Sequence, residues 1–429
     1  RRRSPGVLRT ELRRGAGPWA GAALAILVGV TMYTKAPQWQ GRWAETTDVL
    51  RVTGLLLGGP LSIAAGCWQG GRERRRGTAE LRATLARPPL RQALVTAAPA
   101  ALWPAAGYAV AAAGCLVTTW PYASSGHPFW TLTAADAVAV AALGVVGFVV
   151  GRLIPWRLTA PLLAVVTYVV LGIPSYGAHD SGLRWLDPAI QHSSSWERPV
   201  WWFGPASALW TGGLAAAVLL AYAARHRLIL LVPLALAVAA AVPVARTGDE
   251  VWRDNPAAAR PVCDHGSPQV CVAAVHGKLL PQVSKALAGT NAKLRGVPGA
   301  PTRWIEGPSR KGPHDAALMD LDYGVAHGDL LDPVSYAFSS LRNLRVLNCG
   351  KKTEHGGAGP SDAIVARSID INQAVSQWLA PNPVSPHLPG KSSYRELARL
   401  KAKSPAEARA YLARYLAAGT CDPEKVPAP

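Results

Sequence analysis

The sequence predicts an α-helical polytopic membrane protein of about seven transmembrane helices, followed by an α or α+β domain outside the membrane. Three observations carry this. Of 429 residues, 49% are hydrophobic and only 17% charged, a low charge fraction for a soluble chain. The mean hydropathy is nevertheless only +0.12, because two unlike parts are averaged. Residues 1–245 hold the long apolar runs, and residues 246–429 have the composition of an ordinary soluble domain. Third, 45 Lys and Arg stand against 26 Asp and Glu, a net charge of +19, and residues 1–245 alone hold 22 basic and 9 acidic side chains. Their arginines flank apolar runs, the pattern of cytoplasmic loops, so the excess does not point to a nucleic-acid partner.

A bilayer core of about 30 Å needs roughly 20 apolar residues in a helix. Seven stretches qualify: about 17–34, 49–69, 92–119, 133–154, 158–175, 205–224 and 227–245. The basic connections are the N-terminal "RRRSPGVLRTELRR", the stretch 72–91, "GRLIPWR" (151–157) and "ARHR" (224–227); the connections 35–48, 120–132 and 176–204 are poorer in basic residues. The positive-inside rule then places the chain in the plasma membrane with a cytoplasmic N-terminus and an extracellular C-terminal domain. An odd number of spans agrees with this. Trp39, Trp43, Trp120, Trp130, Trp201 and Trp202 fall near the outer boundaries, as an aromatic belt would. Arg51 and Asp136 lie close to span ends, where snorkelling or interfacial water would satisfy them. No buried series of Asp, Glu and His is visible in the spans, which disfavours a proton-driven carrier.

The stretch "RERRRGTAELRATLARPPLRQALV" (72–95) is the most specific part of the chain. Read as a helix, it is ended by Pro88 and Pro89 before the next span begins. As bare composition it is a solvated, positively charged loop. The spacing of Arg72, Glu73, Arg76, Gly77, Thr78, Glu80 and Leu81, followed by Pro88, Pro89 and Arg91, resembles the first cytoplasmic loop of ATP-binding-cassette (ABC) exporter permeases of the ABC-2 type. "GRLIPWRLTAPLLAVVTYVV" (151–170) is similar to a turn of actinobacterial members. The resemblance covers about residues 1–245. The chain departs from it in having seven spans where most members have six, and Leu81–Arg82 where the family has a leucine pair.

That resemblance implies a transmembrane permease domain, residues 1–245, whose loop (about 70–91) docks on a cytoplasmic ABC ATPase as a coupling helix. It implies two ATPase subunits, a second permease copy or a paralogue, and surrounding membrane lipid. ATP and Mg belong to the ATPase; this chain itself binds no cofactor and is not an enzyme. A G-x-x-x-x-G-K-[ST] loop is missing: "SPHLPGKSS" holds Gly390, Lys391 and Ser392, but Ser385 stands where the first glycine belongs.

In residues 246–429, the segments 278–294 and 361–379 are amphipathic at helical spacing. Ser404, Pro405 and Glu407 form the start of a capped helix, with Gly419 as its stop. "TRWIEG" (302–307) and "LRVLNC" (344–349) read as strands. The sequence lacks the H-E-x-x-H of zinc peptidases. Asp320, Asp322, His327, Asp329 and Asp332 match no metal-site spacing and read as a solvated acidic loop, so no metal site is assigned. His265, His276 and His314 read as single surface residues.

Cys67 and Cys115 fall in or beside spans and read as reduced packing residues. Cys263, Cys271, Cys349 and Cys421 lie in the outer domain, where an even count fits two bridges in one of three connectivities. Closing the short loop gives the simplest set, Cys263–Cys271 with Cys349–Cys421. "CDHGSPQVCVAAV" (263–275) is similar to the start of a degenerate peptidase-like outer domain in some actinobacterial permeases, which implies a binding or gating cap without catalysis. The alternative function is a membrane-anchored extracytoplasmic receptor or sensor, although one or two spans suffice for an anchor. A membrane peptidase ranks third.

Overall fold

The computed structural model describes residues 10–12, 15–75, 77, 88–176, 182–192, 194–307, 312, 314–321, 324–341, 344, 362–382, 391–418 and 425–429. The chain forms two compact units, Arg1–Pro121 with His127–Asp254, and Tyr122–Gly126 with Asn255–Pro429.

The first unit is a helical bundle of the polytopic membrane kind. Its helices are α1 (Gly17–Thr34), α2 (Trp43–Gly70), α3 (Pro89–Thr119), α4 (Trp130–Leu153), α5 (Thr159–Tyr176), α6 (Phe203–Ala223) and α7 (Leu231–Thr247). Among the described residues six helices are long and apolar enough to cross a membrane, α7 counting with its flanking turns as Arg227–Val251. Even α1, with 18 residues, rises about 27 Å at 1.5 Å per residue. At the place of the fifth expected span, the apolar part of α5, Thr159–Ile173, is shorter.

Glycines set how closely the helices approach. A Cβ on Gly66 would lie 2.1 Å from the Gly144 carbonyl oxygen, and one on Gly147 2.0 Å from that of Ile63. Gly70 meets the Phe148 carbonyl and Gly151 that of Cys67 at similar distances. Helices α2 and α4 therefore cross backbone on backbone, as small residues four apart permit. Gly21 and Gly107 do the same for α1 and α3. Within α2, residues Thr53–Leu57 form a π-helical turn that includes Gly54, where a Cβ would overlap the Tyr108 ring. Such single-turn π insertions shift the register of side chains on either side.

Two expectations about the far end of the bundle are corrected. Trp39 and Trp43 are buried, not in a lipid-facing belt. Trp39 donates its indole N–H to the Met32 carbonyl at 2.8 Å, and Trp43 packs edge-on to Trp120 at 5.8 Å. Trp120, Trp130 and Trp201 are exposed. Arg51 and Asp136 are not satisfied by snorkelling: their side chains are 3% and 1% exposed and paired at 3.4 Å. The connection between α5 and α6 covers them, since Arg51 Nε donates to the Pro188 carbonyl at 2.6 Å and Asp48 accepts the His192 N–H at 2.8 Å. Ser195 donates to Glu45, and Tyr108 donates to Asp136 at 3.2 Å. A buried polar cluster is thus present where the sequence shows only residues near helix ends.

The first unit closes with β1 (Glu197–Pro199), paired antiparallel to β2 (Trp252–Asp254). In the second unit β3 (Pro261–Cys263), β4 (Gln269–Ala273), β5 (Arg303–Ile305) and β6 (Asp315–Ala317) form one sheet in that order. β3 and β4 are antiparallel, while β4, β5 and β6 run parallel. Helix α8 (Leu280–Leu294) supplies the crossover that a parallel pair requires. Strands β7 (Val325–Ala326) and β8 (Asp329–Leu330) form a small ribbon. Helices α9 (Pro333–Leu341), α10 (Asp362–Leu379), α11 (Lys391–Ala402) and α12 (Pro405–Ala417) follow. The core gathers Val270, Val283, Leu287, Trp304, Val375 and Tyr411. Helix α12 opens with the expected capping box, Ser404 and Glu407 bonding reciprocally. The strand expected at 344–349 and the stop at Gly419 lie outside the described residues.

Cys263 and Cys271 face each other across β3 and β4 and form a disulfide. Cys67 and Cys115 are free and buried. Cys349 and Cys421 lie outside the described residues.

Candidate functional site

Helix α2 ends at Gly70, and after Gly71 the residues Arg72–Arg75 form one more helical turn. Because Gly70 and Gly151 let α2 and α4 touch at this end, the turn arrives beside Arg152 in the last turn of α4. Glu73 and Arg152 meet as a two-pronged pair: Nη2 donates to Oε1 at 2.9 Å, and Nη1 donates to Oε2. The side chains are 14% and 16% exposed. Arg152 also lies 3.5 Å from the Thr96 hydroxyl and 5.2 Å from the Phe148 ring centroid. Gln69 donates to the Thr96 carbonyl at 3.1 Å. Glu73 therefore joins the turn to α4, and Arg152 and Gln69 in turn approach Thr96 of α3. Planar guanidinium–carboxylate pairs of this kind fix orientation as well as distance. Lying between exposed and buried, the pair is worth on the order of 1–3 kcal/mol.

The other expected residues are distributed around this clip. Arg72 turns to Glu11, 3.2 Å away. Gly77 adopts a left-handed conformation, φ +65°, with open space around it. Pro88 is the cap position of α3, and Arg91 is exposed on its first turn. Arg76, Thr78, Glu80 and Leu81 lie outside the described residues, as does the helix expected there. The partners that the sequence missed are Arg152, Thr96 and Gln69. Arg152 was visible only as one charge of a basic turn. The signal that brings it close is the spacing Gly66–Gly70 on α2 against Gly147–Gly151 on α4.

The second unit places its candidate residues elsewhere. Ser392 and Ser393 of the glycine–lysine–serine segment donate to the Asp370 carboxylate. Asp332 accepts the Ser335 N–H at the start of α9, and Asp329 accepts from Gln282 at 3.0 Å. His276 is not a surface residue. Its side chain is 2% exposed and its Nδ1 lies 2.7 Å from Glu306, which also accepts the N–H groups of Ala273 and Leu321. The turn that follows β4, Ala274–Leu279, carries the imidazole inward. Asp264 accepts from Ser284, Val270 and Gly266. Burial pushes its carboxyl up, but these hydrogen bonds outweigh it and hold the group below the usual carboxylate value.

No family model, no curated protein and no solved structure matches this chain.

Proposed function

We propose that this protein is the membrane-spanning permease subunit of an ATP-driven ABC exporter of the ABC-2 type. It pairs with a second permease copy or a paralogue and with two cytoplasmic ATPase subunits, which hold ATP and Mg. The loop at 72–91 carries closure of the ATPases into the bundle. The observation that supports this most is the Glu73–Arg152 pair. It ties the loop bearing the family-like signature to the end of α4, and Arg152 approaches Thr96 of α3, so a push on the loop is passed into the bundle. The bundle of six membrane-length helices also exceeds what an anchored sensor needs. On the charge bias of the connections, the loop faces the cytoplasm and residues 246–429 face outward as a cap.

Arg74 is exposed on the turn that carries Glu73, so a photoreactive benzoylphenylalanine placed there reports what the loop touches in native membranes. Cross-linking to a polypeptide with a Walker-type nucleotide site is expected. Cross-links that contain no such polypeptide would reject the proposal.

A further inference from the structure

Beside the Glu73–Arg152 clip, a cavity of about 290 Å³ is lined by Gly15, Ala16, Trp68, Gln69, Arg72 and Arg75. Its walls are the start of α1 and the end of α2 with the turn that follows. Arg72 reaches it from its contact with Glu11, and its guanidinium runs close under Gly15, where a Cβ would lie 3.1 Å from Nη1. Arg75 lies over the Trp68 ring, 4.2 Å from the centroid, and donates to the Trp68 carbonyl. Two guanidinium groups thus border the space, and no carboxylate is among its described lining residues.

The surroundings identify the class of occupant. Trp68 and Trp19 are exposed, as tryptophans are where headgroups meet acyl chains. From Trp19 the exposed face of α1 continues through Ile26, Val30 and Tyr33. Those positions share one side of a helix, and together they make an apolar track leading away from the cavity. Arg74, exposed on the same turn, adds to the positive charge there. Arginine forks match phosphate oxygens in geometry and charge, and polybasic segments at a span end recruit anionic lipid.

We propose that this cavity binds the phosphate headgroup of an anionic glycerophospholipid, whose acyl chains lie on the exposed face of α1. Arg72 and Arg75 hold the phosphate, and Trp68 sits at the glycerol level. The assignment is independent of any partner ATPase.

The test uses the full-length protein in nanodiscs of equimolar phosphatidylcholine and phosphatidylglycerol, with retained lipids counted by native mass spectrometry. The wild type is expected to retain phosphatidylglycerol over phosphatidylcholine by about thirtyfold, the scale that two arginines at an anionic surface supply. Arg72→Gln/Arg75→Gln is expected to lose the preference. Arg157→Gln, exposed after α4 at the same end but outside the cavity, should keep it. Parity in the wild type would overturn the proposal. So would an equal loss in Arg157→Gln, which would show attraction to overall charge, or displacement of the lipid by millimolar inorganic phosphate. Should the double variant fail to fold, the wild type still decides. Brominated phosphatidylglycerol should quench tryptophan fluorescence beyond brominated phosphatidylcholine, and Trp68→Phe should remove the excess. No excess quenching would sink the assignment.

Discussion

Arg51 shows how a single side chain departs from its sequence context. It stands two residues from a π-helical turn, faces Asp136 at 3.4 Å and lies under the Phe203 ring, 5.4 Å from its centroid. Removing one partner of a buried pair leaves an uncompensated charge, which costs about 3–5 kcal/mol. Arg51→Met is therefore expected to lower the unfolding midpoint sharply, and Arg51→Met/Asp136→Leu to recover much of the loss. A single variant as stable as wild type in a detergent melting assay would refute this. In the second unit, Asp264 has a depressed carboxyl. The unfolded chain takes up its proton first as pH falls, so this contribution is present above the ordinary carboxylate value and is lost as pH drops below it. Asp264→Asn is expected to cost about 1–2 kcal/mol at neutral pH and to flatten stability against pH below 4. Identical acid-unfolding curves for the two proteins would contradict the hydrogen-bond account.

At the scale of elements, the glycine contacts between α2 and α4 position the loop. Gly147→Leu places a branched side chain where even a Cβ lies 2.0 Å from a carbonyl oxygen. The expected result is separation of the helices and loss of the folded detergent-stable form; normal yield and melting would exclude a tight crossing. The apolar runs behind these helices were legible because length and composition alone specify them. The cap of α12 was legible too, because Ser404 and Glu407 act within one turn. Burial of Arg51 and Asp136 was not, since it depends on residues 182–200 folding back over the helix ends. His276 failed for the same reason: its partner, Glu306, lies far along the chain in a different strand connection. Of the Glu73–Arg152 pair only Glu73 was legible, as one residue of a signature; Arg152 is brought to it by the contact of Gly70 and Gly151, which depends on how α2 and α4 pack.

For the whole molecule, the proposed topology puts the Arg72–Arg75 turn inside and residues 246–429 outside. Lys401→Cys, exposed on α11, is expected to react with a membrane-impermeant maleimide in intact cells above the unsubstituted background. Reaction only after permeabilisation would reverse the orientation. The central claim is that the loop couples a partner ATPase to the bundle through Glu73 and Arg152. The most direct measurement is ATP turnover by the complex that co-purifies with the full-length chain from its native membrane. A Walker-type ATPase is expected to co-purify. Glu73→Ala should cut its turnover by about fivefold or more, a coupling of at least about 1 kcal/mol, and the exchange Glu73→Arg/Arg152→Glu should restore part of it. Absence of a nucleotide-binding subunit, or turnover that is unchanged in Glu73→Ala, would contradict the account.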